Sequence, residues 1–278
     1  MGKPLQLDVL TSGIWQTNSA VISQGGVCLV TDPAYFPREL EAIAACVQER
    51  GRASAVAFTH GHWDHVMGHG ICPGAPVWMH EGMAAAIASG AARTTKYLEE
   101  AREFDSRWYV PRPHGYHWPA QRQPIADEQR LEIDEAGGAA GSLRALHLPG
   151  HSPDGLGLLV EPLGFLLVGD HLSPCEIPFV DDAAAYSATL RRLLGLLEGG
   201  VVRDVLPGHG PRLTAEEARA IARADLAYLE RLIEAGDRGD EAAALAIELP
   251  RAAEVVGMRD AHRGNCAKVG LALSPPSG

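Results

Sequence analysis

Between Phe58 and His69 the chain reads FTHGHWDHVMGH, which places four histidines and an aspartate within ten positions. The apolar run ASAVAFTH that leads into it reads as a short strand, so the cluster opens at a strand's end. His60 and His62 are two apart, and extended backbone turns residues i and i+2 to the same side, so both imidazoles can reach one cation. Asp64 and His65 fall where WDHVMGHG begins a helical turn. Their side chains leave the first pair and begin a second site a few ångströms away. The spacing predicts two neighbouring metals rather than one crowded one.

Two incomplete sites need more ligands, and three later residues stand in matching contexts. His151 lies in LPGHSPDG, Asp170 in LLVGDHL and His209 in VLPGHG. Each follows an apolar strand and sits beside Gly or Pro, which puts it on a loop where a rigid scaffold presents functional groups. Counting assigns His60, His62 and His151 to one metal and Asp64, His65 and His209 to the other. Asp170, with two carboxylate oxygens, bridges them. Nitrogen-rich coordination with a few carboxylates suits zinc first, with iron or manganese as alternatives. A lone histidine after a strand is more often structural, so His69, His80 and His147 are read as lying outside the site. His171 points away from Asp170 and is assigned to shaping the substrate pocket, together with Trp63.

Elsewhere the chain alternates strand and helix signals. LQLDVL and SAVISQGGVCLVTD read as strands, the second a hairpin turning at Gly25 and Gly26. PRELEAIAACVQERG carries apolar residues at helical spacing between Pro37 and Gly51. APVWMH is a strand before the Ala-rich helix EGMAAAIASG. Strands return at RLEID, SLRALHLPG and LGLLVEPLGFLLVGD, followed by a helix through AAAYSATLRRLLGLLEGG and a strand through VVRDVLPGHG. Thr214 and Glu217 form a capping-box pattern that opens a long helix. The tail reads as one or two more helices and a frayed SPPSG end. This pattern predicts an α/β sandwich with helices on both sides.

Residues 90–128 differ in kind. RWYVPRPHGYHWPAQRQP sets two Trp, two Tyr and two His between prolines with no clean period. It predicts an ordered insertion rather than a scaffold element. Its rings (Trp108, Tyr109, His114, Tyr116, His117 and Trp118) are candidates for a lid, with Tyr116 and Trp118 as substrate-pocket walls. The competing reading is a satellite hydrophobic cluster or a dimer contact, since aromatics are enriched at interfaces.

THGHWDH followed in order by PGHSPDG, GDH and PGHG resembles the metallo-β-lactamase-fold superfamily, over about residues 6 to 210. The resemblance implies a four-layered αββα sandwich with metals in a cleft at one edge of its two sheets. It also implies a hydroxide bridging two metals, oriented by Asp64 as catalytic residue, and a hydrolysed ester, thioester or lactone. CLVTDP looks like the family's early strand ending in an aspartate, so Asp32 is a candidate for holding a ligand imidazole in place. The expected organisation is a catalytic domain over 1–212 and a C-terminal helical extension over 213–278.

Charge and cysteines narrow the choice. With 35 acidic against 24 basic residues, a formal net charge of −11 argues against nucleic acid and against an anionic membrane surface. Five scattered cysteines (Cys28, Cys46, Cys72, Cys175, Cys266) without a CxxC pair read as reduced thiols. Cys175, five residues past Asp170, is read as buried and inert. No apolar run suits a leader or a membrane span. These features predict a cytoplasmic protein with a small-molecule substrate and homo-oligomer formation open.

Within the superfamily, true β-lactamases usually lack the bridging aspartate that stands here as Asp170. Flavin-dependent di-iron reductases carry an acidic residue where this chain has His62. Glyoxalase II and quorum-signal lactonases share the ligand types, but neither the glutathione-binding basic residues nor an acyl-chain pocket is recognisable. Two alternatives are carried: a metal-binding module with weak activity and a regulatory or binding role, and a mononuclear-iron sulfur dioxygenase of the same fold.

Overall fold

Runs that are buried on both faces read as continuous apolar stretches, and VCLVT and LGLLV are such runs. Each lies inside a six-stranded sheet. The structure is a computed structural model that describes residues 4–133 and 142–273. The first sheet starts with β1 (Gln6–Thr11), β2 (Asn18–Gln24) and β3 (Val27–Thr31), paired antiparallel. The β2–β3 turn has φ of 61° at Gly25 and 89° at Gly26, a backbone that favours glycine. α1 (Pro37–Arg50), β4 (Arg52–Ala57), α2 (Trp63–Val66), β5 (Val77–His80), α3 (Glu81–Ser89), α4 (Ala92–Trp108) and β6 (Arg122–Ile125) follow. β4, β5 and β6 add in parallel, so the sheet order is the chain order.

The second sheet contains β7 (Arg130–Glu132), β8 (Ser142–His147), β9 (Leu156–Val160), β10 (Phe165–Leu167), β11 (Asp204–Leu206) and β12 (Leu213–Thr214), again in chain order across the sheet. α5 (Ala183–Glu198) is the crossover that lets β10 and β11 pair in parallel. α6 (Ala215–Arg238), α7 (Glu241–Leu245) and α8 (Met258–Lys268) complete the described chain. Asp134 of the expected strand RLEID and the SPPSG end lie outside the described residues.

Side-chain alternation sorts the core into layers. Ala55 and Ala57 of β4 and Leu143, Ala145, Leu158 and Leu167 of the second sheet meet in one cluster between the sheets. Val56 of β4 faces the other way, to Ile43 and Val47 of α1 and Met83 of α3. On the opposite outer face, Leu146, Leu159 and Leu166 pack with Tyr186, Leu190 and Leu193 of α5 and with Leu229 and Leu232 of α6. The result is the αββα sandwich. The capping box forms as its spacing predicts, with Thr214 Oγ1 accepting from Glu217 N.

Two expectations change. Residues 90–128 are not an insertion outside the scaffold. Ala92–Trp108 is a 17-residue helix, and Arg122–Ile125 is the edge strand of the first sheet, paired with β5. The buried positions of α4 are Thr94, Ala101 and Asp105, too small or polar for a hydrophobic period to register. The boundary near 212 also shifts in meaning, because β12 lies beyond it and pairs with β11. The helices that follow share one apolar cluster with the second sheet's outer face.

Candidate metal centre

Both sheets deliver side chains to one edge. β3 ends before Asp32, β4 runs into Thr59, His60 and His62, and β8 leads to His151. Asp170 follows β10 and His209 follows β11, while Asp64 and His65 sit on the single turn of α2. His60, Asp64, His65, His151 and His209 are buried, whereas His62 and Asp170 are half-buried.

The side chains meet in two groups. In the first, His62 Nδ1 lies 3.0 Å from His60 Nε2 and 2.9 Å from His151 Nε2. Asp170 Oδ2 lies 3.4 Å from His60 Nε2 and 3.2 Å from His151 Nε2. In the second, His65 Nε2 lies 3.3 Å from Asp64 Oδ2 and 3.4 Å from His209 Nε2. Asp170 faces this group too, with Oδ1 at 3.2 Å from His65 Nε2 and Oδ2 at 3.3 Å from His209 Nε2. A tetrahedral cation with bonds of about 2.0–2.1 Å holds its ligand atoms roughly 3.3–3.4 Å apart, close to these separations.

The far side of the imidazoles decides which nitrogen carries a lone pair. His65 Nδ1 lies 3.0 Å from Asp32 Oδ2, His151 Nδ1 3.0 Å from the Phe179 carbonyl, and His209 Nδ1 3.1 Å from the Trp15 carbonyl. Each of these partners accepts, so each Nδ1 donates and leaves Nε2 to the cluster. Thr59 Oγ1 donates to Asp32 Oδ2 at 2.5 Å and can accept from His60 Nδ1 at 3.1 Å. Asp32 therefore orients His65 directly and His60 through Thr59. With His65 neutral, as a metal ligand must be, Asp170 Oδ1 and His65 Nε2 are two acceptors 3.2 Å apart, and Oδ1 is buried with no hydrogen-bond partner among the described residues. A cation between them resolves that arrangement, so the donor set fits a divalent metal. Gly208 keeps the space open, since a Cβ there would lie 2.1 Å from Asp170 Oδ1.

Electrostatics differ across the cluster. Burial depresses His60 and takes His62 well below the ordinary imidazole value. Burial also opposes protonation of His65, but Asp64 and Asp170 hold it well above that value. His209 is pushed up to about 9 against burial, by Asp170 and Asp64. Burial works against ionised Asp170 as well, yet the surrounding imidazoles hold it well below the usual carboxylate range. The second group is the place where positive charge is most favoured.

The ligand cluster floors a cavity of about 860 Å³. Trp63, Cys175 and Glu176 line it. Cys175 is thus half-buried in a cavity wall rather than buried in the core. Glu176 was not legible in advance: no motif marks it, yet it lies with Asp170 and His209 within ligand distance. Burial and then the Asp170 charge, offset by His209, push it up to about 7. The walls also include Arg93, Lys96, Tyr97 and Glu100 of α4, Asp181, and Val255, Val256 and Lys268 near and on α8. Tyr97 packs on His62 at 5.0 Å between ring centroids.

Other expected pocket residues stand elsewhere. Tyr116 and Trp118 do not line this cavity; Tyr116 OH donates to Asp105 and Trp118 Nε1 to the Thr94 carbonyl, so both rings staple their loop to α4. His171 is buried behind the site, donating through Nδ1 to the Val168 carbonyl, and burial lowers it to about 3. His69 bonds the Val66 carbonyl, and His80 stacks on His147 at 3.9 Å, both away from the cluster.

Sandwich and site together define a class of metal-binding proteins. The chain belongs to the metallo-β-lactamase superfamily, whose family model matches residues 12–209. An atrochrysone carboxyl ACP thioesterase of Paecilomyces divaricatus (AgnL7) is 28% identical over 211 residues, 73% of this chain and 56% of the relative. The chain spans about half the length of the curated relatives it matches. Among solved structures, a metallo-β-lactamase family protein of Thermus thermophilus aligns with a TM-score of 0.65 at 22% identity, covering 94% of this chain and 91% of that one. The protein TTHA1623, solved in a di-iron-bound form, aligns with a TM-score of 0.55 at 25% identity, covering 76% and 96%. Among the described residues no helix is long and apolar enough to cross a membrane.

Proposed function

We propose that this chain is a binuclear metal-dependent hydrolase that cleaves a small ester, thioester or lactone, with zinc as its metal. The observation that carries the reading is Asp170, whose Oδ2 lies within 3.4 Å of His60, His151 and His209 and whose Oδ1 lies 3.2 Å from His65, so that one carboxylate reaches both ligand triads. His60, His62 and His151 would hold one ion, Asp64, His65 and His209 the other, and Asp170 both. Two divalent cations held there supply Lewis acidity and a water that ionises near neutral pH. The second triad favours this reading over a mononuclear iron enzyme. Thioesters lead among the substrates, because curated relatives bear the name thioesterase.

The chain's own groups do the positioning. Asp64 Oδ2 lies 3.3 Å from His65 Nε2 and 3.5 Å from His209 Nε2, which hold its carboxylate in place. Trp63 and Tyr97 wall the reacting end, and Arg93, Lys96 and Lys268 place cationic groups along the cavity. Five free cysteines support a reducing, cytoplasmic setting.

Elemental analysis of protein purified without chelator tests the stoichiometry. About two metals per chain are expected, with thioester hydrolysis lost on chelation and restored by zinc. Retention of one metal under metal excess would overturn the binuclear reading. A fully loaded protein inactive on thioesters, esters and lactones would overturn the hydrolase reading.

A further inference from the structure

A second cavity of about 570 Å³ opens beside the first, and the two share Trp15. Its walls include Ile14, Phe36, Phe104, Trp108 and Tyr109, and no lining residue carries a formal charge. On a chain of net charge −11, an uncharged aromatic groove is a local exception. Trp15 is 57% exposed and Trp108 64%. A ring path leads outward from the metal centre: Trp63 to Trp15 at 5.3 Å, Trp15 to Phe104 at 6.3 Å, and Phe104 to Trp108 at 6.5 Å.

Trp15 is held there at a conformational cost. Its φ is 47° and that of Gln16 is 57°, left-handed values that bulky side chains rarely adopt. The turn is pinned by Ser12 N to the Thr17 carbonyl, by Gly210 N to the Gln16 carbonyl, and by His209 Nδ1 to the Trp15 carbonyl. A strained, exposed tryptophan bonded to a metal-centre histidine is where a binding role is expected, since such strain persists only when the surroundings enforce it.

We propose that this groove binds the apolar, preferably aromatic, acyl portion of the substrate, with Trp15 as the threshold between groove and metal centre. The proposal rests on the hydrolase reading. Two features select this occupant. The groove and the metal cavity are neighbours that both use Trp15 as wall, so an extended molecule crossing its ring reaches both. Its walls offer flat apolar contact and no counter-charge, which disfavours an anionic segment. Charged side chains of both signs line the other cavity, with Lys96 paired to Glu100 and Lys268 to Asp181, and there the polar, non-acyl part of the thioester would sit.

The test compares the metal-loaded wild type with Trp108→Ala and Tyr109→Asn. Both sites are exposed, and asparagine keeps the left-handed backbone of position 109, where φ is 55°. For a thioester with a naphthoyl group, each variant should lower kcat/KM, roughly tenfold for Trp108→Ala, through lost apolar contact. Acetyl thioester turnover should be unchanged. Equal effects on both substrates, or none, overturn the proposal. Affinity for the naphthyl ketone analogue, with CH2 in place of sulfur, is measured in parallel by calorimetry and needs no turnover. If hydrolysis is absent but the analogue binds and Trp108→Ala weakens it, the groove stands and the hydrolase reading fails. An analogue that binds wild type and Trp108→Ala alike, or binds neither, removes the groove. Retention of the protein on phosphatidylcholine vesicles, lost in Trp108→Ala, would also overturn it in favour of a membrane-facing patch.

Discussion

The two ligand triads use similar side chains, but one histidine of each, His209 and His151, is braced by the opposite end of the chain. His65 and His209 lean on N-terminal segments. Asp32 holds His65, and the Trp15 carbonyl holds His209. Asn18 Nδ2 donates to the carbonyls of Pro207 and Gly210, clamping the turn around His209. His151 leans on the C-terminal helices. Its partner, the Phe179 carbonyl, sits between Pro178 and Val180, and Asn265 of α8 binds both of those residues' backbones, at 2.7 and 3.0 Å. Asn265 Nδ2 also donates to Tyr228 OH, which contacts His262 Nδ1 at 2.8 Å. His209 and His151 can therefore be loosened separately, whereas Asp32 and Asp170 reach both triads.

The largest effect should come from breaking that shared part. On the proposed binuclear reading, Asp170→Asn removes the charge shared by both metals and should lower thioester hydrolysis by about 10²–10³-fold, with metal content reduced and far-UV circular dichroism unchanged. Wild-type metal content and rate in this variant would assign the bridge elsewhere. Asp32→Asn comes next. It disturbs His65 directly and His60 through Thr59, so both metals should bind more weakly, by roughly 10–100-fold in chelator competition.

Asn265→Ala should sharpen the contrast. Freed of its clamp, the 178–180 segment releases the Phe179 carbonyl, and only the metal at His60, His62 and His151 should weaken, roughly tenfold or less. Equal weakening of both metals would show that the bracing is not divided. The mildest test concerns Glu39, which ties α1 to the turn carrying Trp15 by accepting from Ser12, Gly13, Tyr35 and Phe36. Burial raises its pKa, but those hydrogen bonds together bring it below the ordinary 4.5. A lowered folded-state value means that the ionised form stabilises the fold above that pH, and the contribution fades as pH falls through the folded value. Urea melts of wild type and Glu39→Gln should differ at pH 7 and converge as pH drops below about 4.5. A difference that grows on acidification would show that the carboxylate is not held by these bonds.

Much of the centre was readable along the chain because its parts are local. His60 and His62 share a face at a strand's end, and Asp64 and His65 share one helical turn. His151, Asp170 and His209 each follow an apolar run. The two sheets were readable for a related reason: alternation and buried runs record which strand faces meet apolar neighbours. α4 left no such record, since it buries Thr94, Ala101 and Asp105. Asp105 is held by Tyr35, Tyr116 and Arg112, whose positions depend on distant packing.

What the sequence by itself determined is the donor set, because ligand chemistry is a property of side-chain type and short-range spacing. Only the tertiary structure decided what surrounds those donors. It brought Glu176 beside Asp170 and His209, set α4 and the 255–268 segment as cavity walls, and turned Tyr116 and Trp118 inward to staple a loop. It also placed Trp15 between two cavities, beside Trp108 and Tyr109 of the aromatic run from which it is distant along the chain. The physical reason is that a wall or a brace is made by segments distant along the chain. Their meeting is set by how two sheets and their helices pack, and a periodicity reports that a face is buried without saying against what.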